Sequence, residues 1–322
     1  MNLQHLKQVL IDVLAFCKKM LQRLWKWLFP YFENALEFWA KHPAYLICSI
    51  IYYIISCVMV GGGFWISLSI LLIYVIALMV GFSEVGEEFL RLINHVRPIE
   101  TRKEKEYLLL LFQEVYTQAK EKHPELDKIK ICIIDSMTVN AMALGKHTIA
   151  VTKGAMATFS EEELKAVMAH EIAHIIHMDT MASLYAIVGN GIFTIIILFY
   201  RLILFLLDLI DYIFTRKKGF FRFLLTMTRF VFEAMVFLLS FLMQIAISAN
   251  SRTCEFRADE FAFQIGYDTD MIDALYLLEK ISLGDNSTII QKMIASHPRI
   301  TLRINRLEEL DERREEYVPL IP

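Results

Sequence analysis

The chain lacks the paired cysteines of a secreted scaffold. Its 5 cysteines (Cys17, Cys48, Cys57, Cys132 and Cys254) are scattered, and none belongs to a CxxC pair. An odd, dispersed set excludes a disulfide framework and a thiolate zinc site, and it suits buried thiols or a reducing compartment. Proline is scarce: 7 occur, and none lies between Glu125 and His297. The middle of the chain is therefore free to form long uninterrupted helices. A basic excess is absent too. The 33 Lys and Arg stand against 36 Asp and Glu, for a net charge of -3, so no global field favours nucleic acid. Nor is there an internal repeat or a glycine-rich phosphate loop, which argues against a nucleotide-driven machine.

What is present is apolar. Hydrophobic residues make up 56% of the 322 and charged residues 21%, well above the apolar share of a soluble domain. From Ala44 to Phe82 no Asp, Glu, Lys or Arg occurs. A hydrocarbon core takes about 20 helical residues to cross, so two crossings are expected, Ala44–Val60 and Phe64–Phe82, with Gly61, Gly62 and Gly63 as the turn. A second apolar pair covers about Ala182–Leu207 and Leu224–Ala249, punctuated by Arg201, Asp208, Asp211, Arg229 and Glu233. Such charges are costly in lipid unless they face protein or snorkel.

Lysine and arginine set the expected orientation. Lys18, Lys19, Arg23, Lys26 and Lys41 precede the first crossing, and Arg91, Arg97, Arg102, Lys103 and Lys105 follow the second. Both flanks are therefore expected in the cytoplasm, although Arg216, Lys217, Lys218 and Arg222 in the second turn pull the other way. Ahead of the crossings, Leu3, Leu6, Leu10, Val13, Cys17, Met20, Leu24 and Trp27 form one helical stripe with basic residues beside it. That pattern, ending in a crowd of aromatics, reads as a helix lying in the membrane interface, or as a self-associating helix. The chain divides accordingly into 1–42, 43–82, 83–180, 181–250 and 251–322. The third and fifth are soluble in character and together form one domain interrupted by the second hairpin.

Within 83–180, Thr101 with Glu104 and Ser160 with Glu163 have the spacing of capping boxes, which predicts helices over Thr101–Ala119 and Ser160–Met178. Between them, Ile129–Ile134, Val139–Leu144 and His147–Thr152 read as short strands. The expected fold class is mainly helical, with a small sheet of three or more strands.

The second of these helices carries His170, Glu171 and His174. Residues four apart face the same way one turn apart, so two imidazoles can hold one zinc ion. Glu171 lies beside them, where its carboxylate can take a proton from a water that the metal acidifies. Ala173 leaves the metal face uncrowded. A catalytic zinc needs a third protein ligand. His177 is roughly 10 Å along the helix from His170, too far to share the ion, and suits an outer position. The better candidate is Glu255, in the run Ser251 to Asp259. Asp259, one turn on, can accept the spare ring N–H of a zinc histidine and fix its tautomer.

These segments resemble a known family. The His170–His174 motif, then Ser251, Arg252, Glu255, Ala258 and Asp259, then His297-Pro298 with Arg303, are similar in kind and order to the HtpX membrane zinc endopeptidases, relatives of the type I CaaX prenyl endopeptidase. The resemblance runs from about Ser83 to Leu307; Met1–His42 has no place in it. It implies a gluzincin-like zinc peptidase domain that follows one membrane hairpin and is interrupted by a second, with one Zn2+ per chain on His170, His174 and Glu255 and with Glu171 as general base. It also implies that His297 and Arg303 sit near the tetrahedral intermediate, where a positioned cation stabilises developing charge. Asn140, Ala141, Met142, Ala143 and Leu144 become an edge strand that pairs with extended substrate.

The implied activity is hydrolysis of misfolded or damaged membrane proteins or peptides, in stress response and protein quality control. The setting is multi-pass in the inner membrane, with the catalytic domain cytoplasmic and the bilayer as a partner, without nucleic acid or nucleotide. A prenyl-peptide protease and a catalytically inactive scaffold are the competing readings.

Overall fold

The computed structural model describes residues 3–60, 63–214, 220–282 and 299–316. The chain begins with a helix, α1 (Leu3–Lys41), that runs through Pro30 and ends at His42. Pro43 supplies the first residue of α2 (Pro43–Val60), a position where its missing N–H is no loss. The residue before a proline is pushed out of the helical region, so the break falls on His42. The axes of Lys18–Lys41 and Pro43–Val58 differ there by 111°. α3 (Phe64–Gly81) and α4 (Glu84–Ile93) follow.

The sheet has four strands: β1 (Val96–Pro98), β2 (Lys130–Ile134), β3 (Ala141–Leu144) and β4 (Thr148–Thr152), in the order β1-β2-β4-β3. β2 and β4 are parallel; the two outer pairings are antiparallel. The short β1 escapes the sequence pattern because three residues that include Arg97 and Pro98 show no alternation. It is held instead by Arg97, which donates to Asp135 at 2.6 Å and to Glu104 at 2.7 Å. Its proline is tolerated because β1 is an edge.

Side chains alternate across the sheet. Ile131, Ile133, Ile149 and Val151 enter one apolar core with α5 (Arg102–Lys122), α7 (Glu161–Ile176) and α10 (Asp268–Ser282). Cys132, Ile134 and Ala150 enter a second core with Phe38, Tyr45, Tyr74, Phe82 and Tyr185. Both expected capping boxes are present. Glu104 N–H donates to Thr101 Oγ1 at 3.2 Å and Glu163 N–H to Ser160 Oγ at 3.2 Å, each with the glutamate returning to the cap N–H. A short α6 (Lys153–Thr158) joins β4 to α7.

The second apolar pair forms two long helices, α8 (Met181–Phe214) and α9 (Phe220–Gln264), and α11 (Ile300–Glu316) closes the described chain. The charges in the apolar part of α8 and α9 answer one another: Arg201 Nε donates to Glu233 at 2.7 Å and Arg229 Nη1 to Asp208 at 2.9 Å. α9 does not stop at the apolar stretch. It continues as one helix through Ser251 to Gln264, and so carries the acidic motif rigidly toward α7.

By length and composition, Phe64–Gly81 is a helix able to cross a membrane, and Lys18–Lys41 with Pro43–Val58 pass together as a sharply bent pair. The expectation of two hairpins is thus matched here by one such helix, or by two if the bent pair is a span, among the described residues. The sheet is larger than the three strands that the pattern marked out.

Candidate metal centre

α7 holds His170 and His174 one turn apart, their rings perpendicular at 89° with centroids 4.7 Å apart. Their Nε2 atoms face each other at 3.1 Å. Across from them α9 presents Glu255, whose Oε2 is 3.5 Å from His170 Nε2 and whose Oε1 is 3.7 Å from His174 Nε2. One donor atom from each of the three residues lies within 4.8 Å of the others.

The opposite ring nitrogens decide what this cluster is for. His170 Nδ1 is 2.9 Å from Asp259 Oδ1, and His174 Nδ1 is 2.9 Å from Asp179 Oδ2. A carboxylate accepts only, so a carboxylate beside each Nδ1 favours the proton there and leaves each Nε2 free to ligate. Two lone pairs and a carboxylate pointing at one another repel unless a cation sits among them. With metal–nitrogen bonds of about 2.0–2.1 Å and tetrahedral angles, two such nitrogens stand roughly 3.3 Å apart, close to the spacing seen. The donor set fits zinc.

The carboxylates are themselves braced. Asp259 takes both arms of Arg303, Nε at 2.7 Å and Nη2 at 2.5 Å, and Arg303 Nη1 reaches Glu255 Oε2 at 3.1 Å. Burial alone would push the Asp259 carboxyl up, but the hydrogen bonds from Arg303 and His170 hold it below the usual carboxylate range. Asp179 is likewise kept low against burial by its bond to His174. Arg303 is thus seated against Asp259 and Glu255, beside the cluster. His297 lies outside the described residues.

Asp179 is a functional residue that the sequence reading missed. It follows α7 through His177, which caps the helix, and Met178, whose φ of 61° is left-handed. That turn brings Asp179 N–H back to His174 O at 2.9 Å and swings its carboxylate to the same residue's ring. Only a methionine marks the reversal, and methionine carries no turn signal. His177 joins no group of potential metal ligands among the described residues.

Asp179 also belongs to a second group of possible donors, with His42 and Cys254. That group already holds a cation: Arg257 Nη2 is 3.2 Å from both Asp179 Oδ1 and Cys254 Sγ. Burial, helped by the Asp179 charge, pushes the Cys254 thiol up to about 12. We read it as a hydrogen-bond network behind His174.

Glu171 points to the sheet, its Oε2 accepting from Ala143 N–H at 2.7 Å. The expected substrate strand is β3, and it is an edge. Asn140, just ahead of it, pairs with Thr152 of β4 through both backbone groups. By alternation Met142 and Leu144 also face β4, and Ala141 and Ala143 turn their backbone groups to the open side. Glu87 sets the hairpin end. Its carboxylate takes Thr148 Oγ1 at 2.6 Å, Lys146 N–H at 3.1 Å and His147 Nδ1 at 3.3 Å, around Gly145 at a φ of 60°.

Comparison with known proteins gives a consistent result. A family model described as Peptidase family M48 matches residues 103–311. Protease HtpX of Pseudomonas fluorescens is 30% identical over 221 residues, covering 63% of this chain and 70% of that one. Protease HtpX of Pseudomonas syringae pv. tomato is 29% identical over the same length, with the same coverage. A Protease HtpX homolog of Thermodesulfovibrio yellowstonii is 48% identical over 66 residues, 19% of this chain and 23% of that one. Among solved structures, the crystal structure of S. mikatae Ste24p aligns over 91% of this chain at 20% identity with a TM-score of 0.48. The chain spans 65% of that protein's length.

Proposed function

Since the chain belongs to peptidase family M48 and is of the HtpX type, we propose that it is a zinc-dependent endopeptidase of a membrane. His170, His174 and Glu255 hold the ion in this reading, and Glu171 is the general base. One observation carries it: two imidazoles with inward Nε2 atoms and a carboxylate from a second helix converge on one point, with a second carboxylate beside an open strand edge.

Zinc held by these residues would supply Lewis-acid polarisation of water and of a peptide carbonyl. The protein does the rest. An extended substrate adds to the open side of β3 through the backbone groups of Ala141 and the carbonyl of Ala143, whose N–H is taken by Glu171. That pairing aligns the scissile bond along the cluster. Glu171 removes a proton from the attacking water and returns it to the departing amine. Arg303 pairs with Asp259 and Glu255 and aims them, and His297 is assigned to the oxyanion by family resemblance alone.

The setting is proposed with it. α2 and α3 form one membrane hairpin and the apolar parts of α8 and α9 a second, the divisions being 1–42, 43–82, 83–180, 181–250 and 251–322. Lysine and arginine flanks put the catalytic domain in the cytoplasm, against an inner membrane. α7 leads almost directly into α8, so the site lies near the headgroups, where loops of damaged membrane proteins are the natural substrates in quality control.

The test is digestion of an unstructured protein by purified wild type and Glu171→Gln, with metal content measured on both. Cleavage that is lost on chelation, restored by zinc and abolished in the variant supports the reading. Equal cleavage by both proteins overturns it.

A further inference from the structure

The helix that ends at His42 has no place in the family pattern, yet its last turns lie against the metal centre. Lys41 Nζ donates to Ile176 O at 3.0 Å, and His42 Nε2 to His177 O at 3.1 Å. These are carbonyls at the C-terminal end of α7, which lack partners within their own helix and favour cationic or N–H donors. His42 Nε2 also lies 3.3 Å from Asp179 Oδ1. The other oxygen of that carboxylate holds His174. A few residues earlier, Asn34 Oδ1 accepts from Lys146 Nζ at 2.8 Å, and Glu37 Oε2 stands 3.7 Å from the same amine. The segment thus touches both the end of the zinc helix and the hairpin that carries the substrate edge.

His42 is fully buried, with its ring 5.1 Å from Phe38 and 6.0 Å from Tyr45. An aromatic nest would accept phenylalanine without a polar penalty. Burying an imidazole there costs free energy unless its polar groups are used, and Nε2 is used, at His177 O with Asp179 Oδ1 beside it. Without it, Asp179 Oδ1 keeps Arg257 Nη2, with the Cys254 thiol also bonded to the carboxylate, and loses one of the contacts that set that carboxylate against His174.

Resting on the zinc-peptidase reading above, we propose that residues 34–42 clamp the metal centre, with His42 as a positioning residue that holds Asp179 and, through it, the ring of His174.

Two substitutions in the full-length protein separate positioning from packing. His42→Phe keeps the ring between Phe38 and Tyr45 but removes the N–H; His42→Gln keeps an N–H donor and gives up the ring. Removing a partner of a zinc-bound histidine typically costs 10- to 100-fold, and His42 stands one step further out. In His42→Phe we expect zinc affinity and kcat each to fall about three- to tenfold with KM within about twofold, and the visible spectrum of the cobalt(II)-substituted protein to shift. His42→Gln should stay within about twofold of wild type with an unshifted spectrum. A phenylalanine variant that matches wild type, or a glutamine variant that alone is impaired, overturns the proposal. Wild-type protein that takes up neither zinc nor cobalt would sink the parent reading and this one together. Normal wild-type metal uptake beside an unaffected His42→Phe would sink this one only.

Discussion

Ala143 on the edge strand donates its backbone N–H to the Glu171 carboxylate on the zinc helix across 2.7 Å. The strand proposed to receive substrate and the group proposed to move the proton are therefore fixed to each other directly. A substrate strand added along β3 therefore runs past the base that acts on it.

Glu171→Gln should keep its metal, because the side chain is not among the ligands, and should keep the bond from Ala143. It should nonetheless lose at least a thousandfold in kcat, about 4 kcal/mol of barrier, because the amide cannot accept the proton. Zinc content with steady-state kinetics on the same preparation checks both halves.

Arg303 is buried between Asp259 and Glu255, with contacts of 2.5 to 3.1 Å. Removing one partner of a buried ionic group leaves the rest uncompensated and costs about 3–5 kcal/mol. Arg303→Met should thus lower stability by that order in chemical denaturation. Arg303→Lys should recover only part of it, because an ammonium cannot make the two-armed contact with Asp259.

The Glu87 carboxylate pins the β3–β4 hairpin, and its titration gives a pH signature. Burial pushes Glu87 up, but the bonds from His147 and Thr148 win and leave it below its usual range. A depressed carboxyl contributes stability at pH above its unfolded value, and that contribution is lost as pH falls through the folded value. His147 is raised by its bond to Glu87, so its contribution is complete below the unfolded histidine value and is lost as pH rises through the folded one. The stability difference between wild type and Glu87→Gln should therefore peak in mildly acidic solution, between the two ordinary pKa values, and shrink on either side. Thermal midpoints of both proteins across pH measure it; a flat difference would contradict the assignment.

Arg201 and Glu233 join α8 to α9 through a two-armed contact inside apolar sequence. Glu233→Gln should reduce accumulation of the protein in the membrane fraction, because an unmatched guanidinium is left there. The exchange Arg201→Glu with Glu233→Arg should restore it. Quantitative blotting of fractionated cells reads the outcome.

Much of this was legible in the residues because the signals are local. The capping boxes at Thr101 and Ser160 and the strands ending at Ile134, Leu144 and Thr152 need only a few neighbours, and the spacing of His170 and His174 needs one helical turn. Glu255 could be paired with them only through the motif around it, since 45 residues of continuous α9 bring it into place. What was not legible depends on the path of the backbone. Asp179 reaches His174 through a left-handed Met178, and His42 meets His177 across 135 residues of chain, with Asp179 beside it, because Pro43 breaks the helix at that point. The seat of Arg303 between two buried carboxylates is likewise not legible, because no spacing displays their need for a cation.

The central claim is that one zinc ion sits on His170, His174 and Glu255. X-ray absorption at the zinc edge of the full-length protein tests it most directly, because His42, Asp179 and Cys254 form the rival donor group in the same region. The account predicts only nitrogen and oxygen neighbours, at about 2.0–2.2 Å, with imidazole scattering from two rings. A sulfur neighbour at about 2.3 Å, or zinc binding undiminished in Glu255→Ala, would contradict it.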